Sequence, residues 1–359
     1  MKKWNIVGMA AIIVIAAVTF HAYAAEKLKV GFIYVGPIGD LGWTYQHEQG
    51  RLEIVKALGD KVETTYLENV PENSDAERSL EQLARTGHKL IFATSFGFME
   101  PTLKVASKYP DVFFEHAVGF KRAKNVSTYF VRSHEADYIE GQIAAKTSKT
   151  GTLGFIATFP VPVVIAGINS FMLGAQSVNP NAKLKVVWIG SWFDPTKEAD
   201  SAKALIDQGA DVLTQYTDSP AAISIVEQRG LHAFALASDM IKFGPHAQLT
   251  SDLYHWGGYY TQRVKDALEG KWTSTDTWGG LDSGMLVMAP FTNMPDDVKK
   301  MAMETQDAII SGKVHPFRCP ILDQDGKAVE CKGGDHLDGG QIRSMNWYIK
   351  GVDEKPPAK

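Results

Sequence analysis

The residues with the most chemical potential in this 359-residue chain are aromatics and short acids that follow β-rich runs. Tyr34, Asp40, Trp43 and Thr44 come after the first such run, Ser95, Phe96, Gly97 and Phe98 after the third, and Glu115 and His116 after the next. Further along, Phe159, then Ser191, Trp192, Phe193 and Asp194, then Tyr216, Thr217, Asp218 and Ser219, and then Ser238 and Asp239 fall at equivalent places, with Trp256 beyond them. Flat aromatic faces beside a few carboxylates and hydroxyls suit a planar heteroaromatic ring with hydrogen-bonding edges. Stacking on an aromatic side chain contributes about 1–3 kcal/mol per base. An unmatched buried polar group costs about 1–3 kcal/mol, so carboxylates and hydroxyls would select the edge of that ring. Each aromatic also has a plainer reading as core packing, Phe96, Phe98 and Phe159 above all, and Asp239 one as the cap of a following helix.

Catalytic signatures are missing from the same stretches. No G-x-G-x-x-G follows a strand, and no G-x-x-x-x-G-K-[ST], G-x-S-x-G or H-E-x-x-H occurs. Asp239 and His255 could join a serine as a triad, but a chain of this length offers such sets by chance. The 10 histidines are scattered without metal-ligand spacing. Binding without catalysis, metal or cofactor is therefore expected.

The elements that must position these residues alternate regularly. Strand patterns at 28–34, 61–66, 89–94, 112–116 and 126–130 interleave with helical patterns at 43–58, 74–86, 99–108 and 135–146. Ser74 with Glu77 three residues on has capping-box spacing. The pattern restarts at GTLGFIA, with strands at 151–157, 184–189, 212–216 and 233–237 and helices at 163–178, 196–208 and 221–229. Two tandem βαβα series imply two parallel sheets covered by helices, hence two lobes with a cleft. In such sheets ligands bind beyond the carboxyl ends of the strands. The lobe division is expected near 148–151, with 25–148 as the N-terminal lobe and 149–275 as the C-terminal lobe. Parts of about 276–313 and about 314–359 should return to the first and second lobes respectively, and the stretch from about Asp276 reads as irregular.

Met1-Lys2-Lys3, an apolar run from Val7 to Phe20 and the A-x-A of Ala22-Tyr23-Ala24 make residues 1–24 a cleaved signal peptide. The run is too short for the ~20 residues of a spanning helix. No cysteine lies near the cleavage point, so a periplasmic, non-lipidated protein is expected. Loss of Lys2 and Lys3 takes the formal net charge from −4 to −6, which disfavours nucleic acid as a partner. Cys319 and Cys331 flank the turn signal Asp323-Gln324-Asp325-Gly326, so a disulfide across a hairpin is the natural reading in an oxidising compartment.

The blocks GDLGWTYQHEQG, IFATSFGFMEPTLKVASKYPDVFFEH, GQIAAKTSKTGTLGFIA and GADVLTQYTDSP followed by ALASDM resemble the basic membrane protein family of ABC-transporter substrate-binding proteins. The resemblance runs from about Lys27 to Lys313. It implies an α/β, type I periplasmic-binding-protein fold: two Rossmann-like lobes with parallel sheets joined by a three-crossover hinge. It also implies an ABC permease as partner and a purine nucleoside held by aromatic stacking and ribose contacts. Asp40 matches the aspartate of the family's D-x-S-F-N motif, Trp43 falls on its phenylalanine, and Thr44 replaces its asparagine. Phe193 and Asp194 match an aromatic-aspartate pair, and Asp239 an aspartate that meets the ribose. Asp218-Ser219 stands in place of a glycine-rich turn, and Tyr254 in place of a lysine.

Those departures remove groups that hold the sugar, so the expected ligand is a free purine nucleobase, adenine or a relative. The expected contacts are Tyr34, Asp40, Trp43, Thr44, Phe96, Trp192, Phe193, Tyr216, Asp218, Asp239 and Trp256. Hinge closure of a monomer over the ligand is the expected mechanism. The alternatives are a nucleoside binder, a sensor feeding a signalling receptor, and a periplasmic purine or nucleoside hydrolase.

Overall fold

The computed structural model describes residues 26–353 and 355–357, so the signal peptide expected at 1–24 lies outside the described residues. The first half alternates β1 (Leu28–Ile33), α1 (Trp43–Leu58), β2 (Val62–Leu67), α2 (Ser74–Arg85), β3 (Leu90–Ala93), α3 (Met99–Lys108), β4 (Phe113–Ala117) and β5 (Val126–Val131). Helix α4 (His134–Thr147) leads into the second series: β6 (Thr152–Ala157), α5 (Pro162–Val178), β7 (Lys183–Trp188), α6 (Pro195–Asp207), β8 (Val212–Gln215), α7 (Ala221–Gln228), β9 (His232–Ala237) and β10 (Gln248–Tyr254). The chain continues through α8 (Trp256–Leu268), β11 (Asp276–Gly279), β12 (Leu286–Met288), α9 (Asp296–Ile310) and α10 (Gly339–Arg343).

Two six-stranded sheets result, ordered β11-β5-β4-β3-β1-β2 and β12-β10-β9-β8-β6-β7. All pairings are parallel except β10 with β12. Each sheet therefore carries the same 2-1-3-4-5 order plus a sixth edge strand, and β3, with all four residues buried, shows why its sequence is an unbroken apolar run. The chain crosses between lobes three times: at 131–134, at 254–256, and between Gly279 and Leu286.

Helix α4 closes the first crossing, and it packs on α5, α9 and the second sheet. The division expected near 148–151 thus falls before this helix, after Val131. Helix α8 moves the other way, because it packs on α1 in the first lobe. Its Arg263 lies in a buried pair with Glu115 of β4 at 2.6 Å and donates to Ser127 Oγ of β5 at 2.9 Å. The Trp272 indole N–H gives Glu115 a further bond at 2.7 Å. A carboxylate taken out of water needs such partners, and these can be reached only if α8 lies on the first sheet.

The irregular reading from Asp276 onward is also corrected: β11, β12, α9 and α10 lie there. Strand β10 and helix α8 are further elements beyond those the pattern shows. Asn73, not Ser74, caps α2, accepting from Asp75 N at 2.8 Å. Cys319 and Cys331 form a disulfide across a hairpin whose rungs include Asp323 N to Lys327 O and Val329 N to Ile321 O, both 2.9 Å.

The α4–α5 contact depends on two glycines. A Cβ on Gly141 would stand 1.9 Å from Phe171 O, and one on Gly174 would stand 1.9 Å from Tyr138 O. Backbone meets backbone, so no side-chain rotation relieves either clash. Both helices are buried almost all round, which is why their apolar residues show no one-sided stripe. Gly141→Ala or Gly174→Ala is expected to destabilise the protein by about 2 kcal/mol or more. Urea denaturation measures this, and a loss below ~0.5 kcal/mol would show that the helices separate freely.

Candidate functional site

The loops at the carboxyl ends of β1, β3, β4 and β5 face those of β6, β7, β8 and β9 across the gap between lobes. A cavity there contains about 530 Å³ of atom-free space, part of it open to solvent. Trp43, Phe96, Phe130 and Val118 line it from the first lobe, and Trp192, Tyr216, Asp218, Leu236 and Tyr254 from the second, with Val163 and Val164 at the start of α5.

Trp43 opens α1, and its orientation is fixed twice. Its indole N–H donates to Thr94 O at 2.5 Å, and its ring stands nearly perpendicular to those of His47, Tyr254 and Trp256 (75–89°). The backbone N–H of Trp43 donates across the gap to Asp218 Oδ1 at 3.0 Å. The first turn of a helix has N–H groups without intrahelical partners, and anions are stabilised there. Asp40 takes three neighbouring N–H groups, of Gly42 at 3.0 Å, Thr44 at 2.9 Å and Tyr45 at 2.8 Å. Gly42 lets the lobes meet, since a Cβ there would lie 2.7 Å from both Asp218 Cα and its carbonyl oxygen.

Two further bonds join the lobes. The Trp192 indole N–H donates to Glu72 Oε2 at 3.0 Å, and Ser238 Oγ donates to Leu41 O. Glu72 also accepts from Ser95 Oγ at 2.5 Å and Gly97 N at 2.7 Å, which holds the turn carrying Phe96. Burial pushes the Asp218 carboxyl well above the usual carboxylate range, and neighbouring Asp40 and Glu198 push it further, against the N–H of Trp43.

Of the eleven residues expected at the site, Trp43, Phe96, Trp192, Tyr216 and Asp218 meet in this cavity, and Phe193 stands at its outer mouth beside Trp192, Phe159 and Gly190. The other five stand elsewhere. Tyr34 lies in the core with its hydroxyl on Glu48 Oε2 at 3.1 Å. Asp40 spends its oxygens on the α1 cap, and Thr44 is buried behind it. Trp256 is buried with its ring parallel to His47 at 4.8 Å, forming the floor behind Trp43. Asp239 is exposed and accepts from Ile241 N at 3.0 Å and Gln248 Nε2 at 2.8 Å, a local capping role.

Sequence reasoning did not select Phe130, Tyr254, Val163 or Leu236. Phe130 lies near the end of a strand that the pattern does show, a usable signal, whereas Tyr254 ends β10, which the pattern does not show. The pattern places Val163 at the start of a helix, and nothing in it shows that this helix end faces the gap.

Beneath Tyr216 and Tyr254 lies a group of buried acids. The Tyr216 hydroxyl donates to Asp137 Oδ2 at 2.8 Å and approaches Ser133 Oγ at 3.1 Å, while Ala237 N donates to Asp252 Oδ1 at 3.1 Å. Glu140 of α4 is a third buried carboxyl there. Burial raises all three, and repulsion from the other acids raises Asp137 and Glu140 further. Asp252 is pushed up to about 7.

Comparison with known proteins gives a consistent assignment. Residues 27–316 match the Bmp family, described as ABC transporter substrate-binding protein PnrA-like. A purine-binding protein of Brucella abortus is 60% identical over 336 residues, covering 94% of this chain and 96% of that protein. A Haloferax volcanii protein, named provisionally for glucose binding in an ABC transporter, is 34% identical over 334 residues, covering 93% of this chain and 82% of its own length. The solved structure of a solute-binding protein of an Aeropyrum pernix ABC transporter superposes with a TM-score of 0.72 at 19% identity, over 90% of this chain and 100% of that one. At that identity the likeness speaks for the type I periplasmic-binding fold alone.

An unfolded aspartate titrates near ~3.9. Between that pH and about 7 the folded protein holds a proton on Asp252 that the unfolded chain has released, so stability falls as pH rises through this window. Asp252→Asn keeps an acceptor for Ala237 N and removes the titration. It is expected to flatten the fall and to raise stability at pH 8 by on the order of 1 kcal/mol. Urea unfolding at pH 5 and pH 8 tests this, and an unaltered pH profile in the variant would rule Asp252 out as the titrating group.

Proposed function

The chain belongs to the Bmp family of PnrA-like ABC transporter substrate-binding proteins, and from that premise we propose that its interlobe cleft captures a purine nucleobase, adenine or a close relative. The observation that carries this reading is the lining of the cavity: Trp43 and Trp192 from opposite lobes, with Phe96 and Phe130, around a single carboxylate, Asp218. Aromatic walls suit a flat ring, and the Asp218 carboxyl, placed among Ser95, Tyr216 and Tyr254, suits its N–H-bearing edge. In its protonated form, which burial favours, the same carboxyl both donates and accepts, matching the adjacent donor and acceptor of a purine edge. Asp239, which the resemblance matches to an aspartate that meets the ribose, is engaged on its own loop instead. That favours the base over the nucleoside. The 60% identical relative named for purine binding supports the same ligand class.

The bound form is closed, with the lobes drawn together by Asp218 on Trp43 N and Glu72 on Trp192. The closed receptor then delivers its ligand to an ABC permease from the periplasm as a monomer, the remaining parts of the proposal. No step in this function requires catalysis.

Calorimetry with adenine, guanine, hypoxanthine, adenosine and glucose tests the reading. Adenine should bind more tightly than adenosine, with no response to glucose; tighter binding of adenosine, or binding of glucose alone, would overturn it. Trp43→Ala should cost about 1–3 kcal/mol of adenine binding, the range for loss of one stacked aromatic. Circular dichroism of the variant should match the parent, and undiminished affinity would assign Trp43 to packing alone.

A further inference from the structure

The cavity proposed to receive the ring borders a second one. Phe96, Val118, Phe130 and Val163 line it and also line the second cavity, with about 590 Å³ of atom-free space that includes open solvent, on the side of β5 and β11. The two cavities therefore lie side by side, with the Phe130 side chain on the wall they share.

The second compartment differs in its chemistry. Its walls add Phe120, Pro162, Ala166, Trp278 and Ile342, all apolar at the faces they offer. Its charged groups are already committed to one another: Arg343 pairs with Asp276 at 2.7 Å and lies over the Trp278 ring at 5.0 Å, and Asp276 also accepts from Thr128 Oγ1 at 2.8 Å. Ser133 is bonded by the Tyr216 hydroxyl. His134 is buried among Trp278 and Phe317, with centroids 5.3 and 5.5 Å away, and burial pushes it down to about 3, so it stays neutral. A sugar placed here would face mostly apolar walls, with the His134 imidazole and Thr277 as its few polar partners, and hydroxyls left unmatched carry the cost of unmatched polar groups. A hydrocarbon group would lose water and gain dispersion contact.

We propose that this receptor takes purine bases carrying an alkyl or aryl substituent, with the ring between Trp43 and Trp192 and the substituent past Phe130 in the second compartment. The inference rests on the nucleobase reading above and narrows its ligand class. Phe130 divides the ligand, and Phe120, 55% exposed, forms the outer wall where the compartment meets solvent.

The test uses the full mature chain and three probes: adenine, N6-benzyladenine and 9-benzyladenine, measured by calorimetry. At least one benzyl compound should bind about tenfold or more tightly than adenine, from the apolar area of one added ring. Ala166→Phe, which fills the second compartment and does not line the first, should remove that advantage and leave adenine affinity within about twofold. Phe120→Ala, at an exposed position that does not threaten folding, should reduce the advantage in the same direction. If adenine binds and both benzyl compounds bind no better, or if neither variant changes their preference, the substituted-purine proposal fails and the nucleobase reading stands. If adenine itself does not bind, the nucleobase reading fails with it.

Discussion

A carboxylate from one lobe resting on the helix N-terminus of the other is the interaction on which the closed molecule depends. Asp218 belongs to the second lobe, yet its oxygen takes the Trp43 N–H at the start of α1 in the first. Asp40 already satisfies the next N–H groups of that turn, so one donor remains for a partner arriving across the gap. The bond sets the distance between lobes, holds a face of the cavity in place through Trp43, and leaves the Asp218 carboxyl on the cavity wall. One side chain thus serves both the contact between lobes and the cavity wall. Gly42 makes this approach sterically possible, because the backbone of Asp218 occupies the space a side chain would need.

The same economy of charge runs through both lobes. Glu115 is fully buried and is compensated by Arg263, Tyr259 and Trp272, which ties the returning helix α8 to the first sheet. Asp137, Glu140 and Asp252 are buried with hydroxyl and amide partners, and burial shifts them toward their neutral forms. In the first lobe Glu115 has an arginine beside it, while the second-lobe acids have only neutral partners, and burial raises them toward the neutral form. Tyr216 and Tyr254 stand between these buried acids and the cavity, so the floor of the site is a polar network and not simply aliphatic packing.

Fold class was legible because it depends on local periodicity: the six helical and strand runs between 28 and 108 recur in the structure within one or two residues of their sequence-derived bounds. Local pattern failed where an element's role comes from a distant partner. Helix α4 has no amphipathic stripe because it is covered on all sides, so its sequence did not show which lobe it joins. Part of the site was legible for a simple reason, that side chains just after parallel strands project toward the cleft. Trp43, Trp192, Tyr216 and Asp218 obey it. Tyr34 and Asp239 follow strands equally well, but one turns into the core and the other caps its own loop.

By itself the sequence determined the alternation of strands and helices, the repeat that makes two sheets, and the family blocks, since each is written in contiguous residues. Tertiary structure alone decided which aromatics face the gap, which acids cap helices, and that Phe130, Tyr254 and Val163 share one cavity. The physical reason is that the cleft is assembled from loop tips more than 100 residues apart, as between Trp43 and Asp218, separated by 175 positions. Their meeting depends on how two sheets are set against each other, and no window of sequence contains that information.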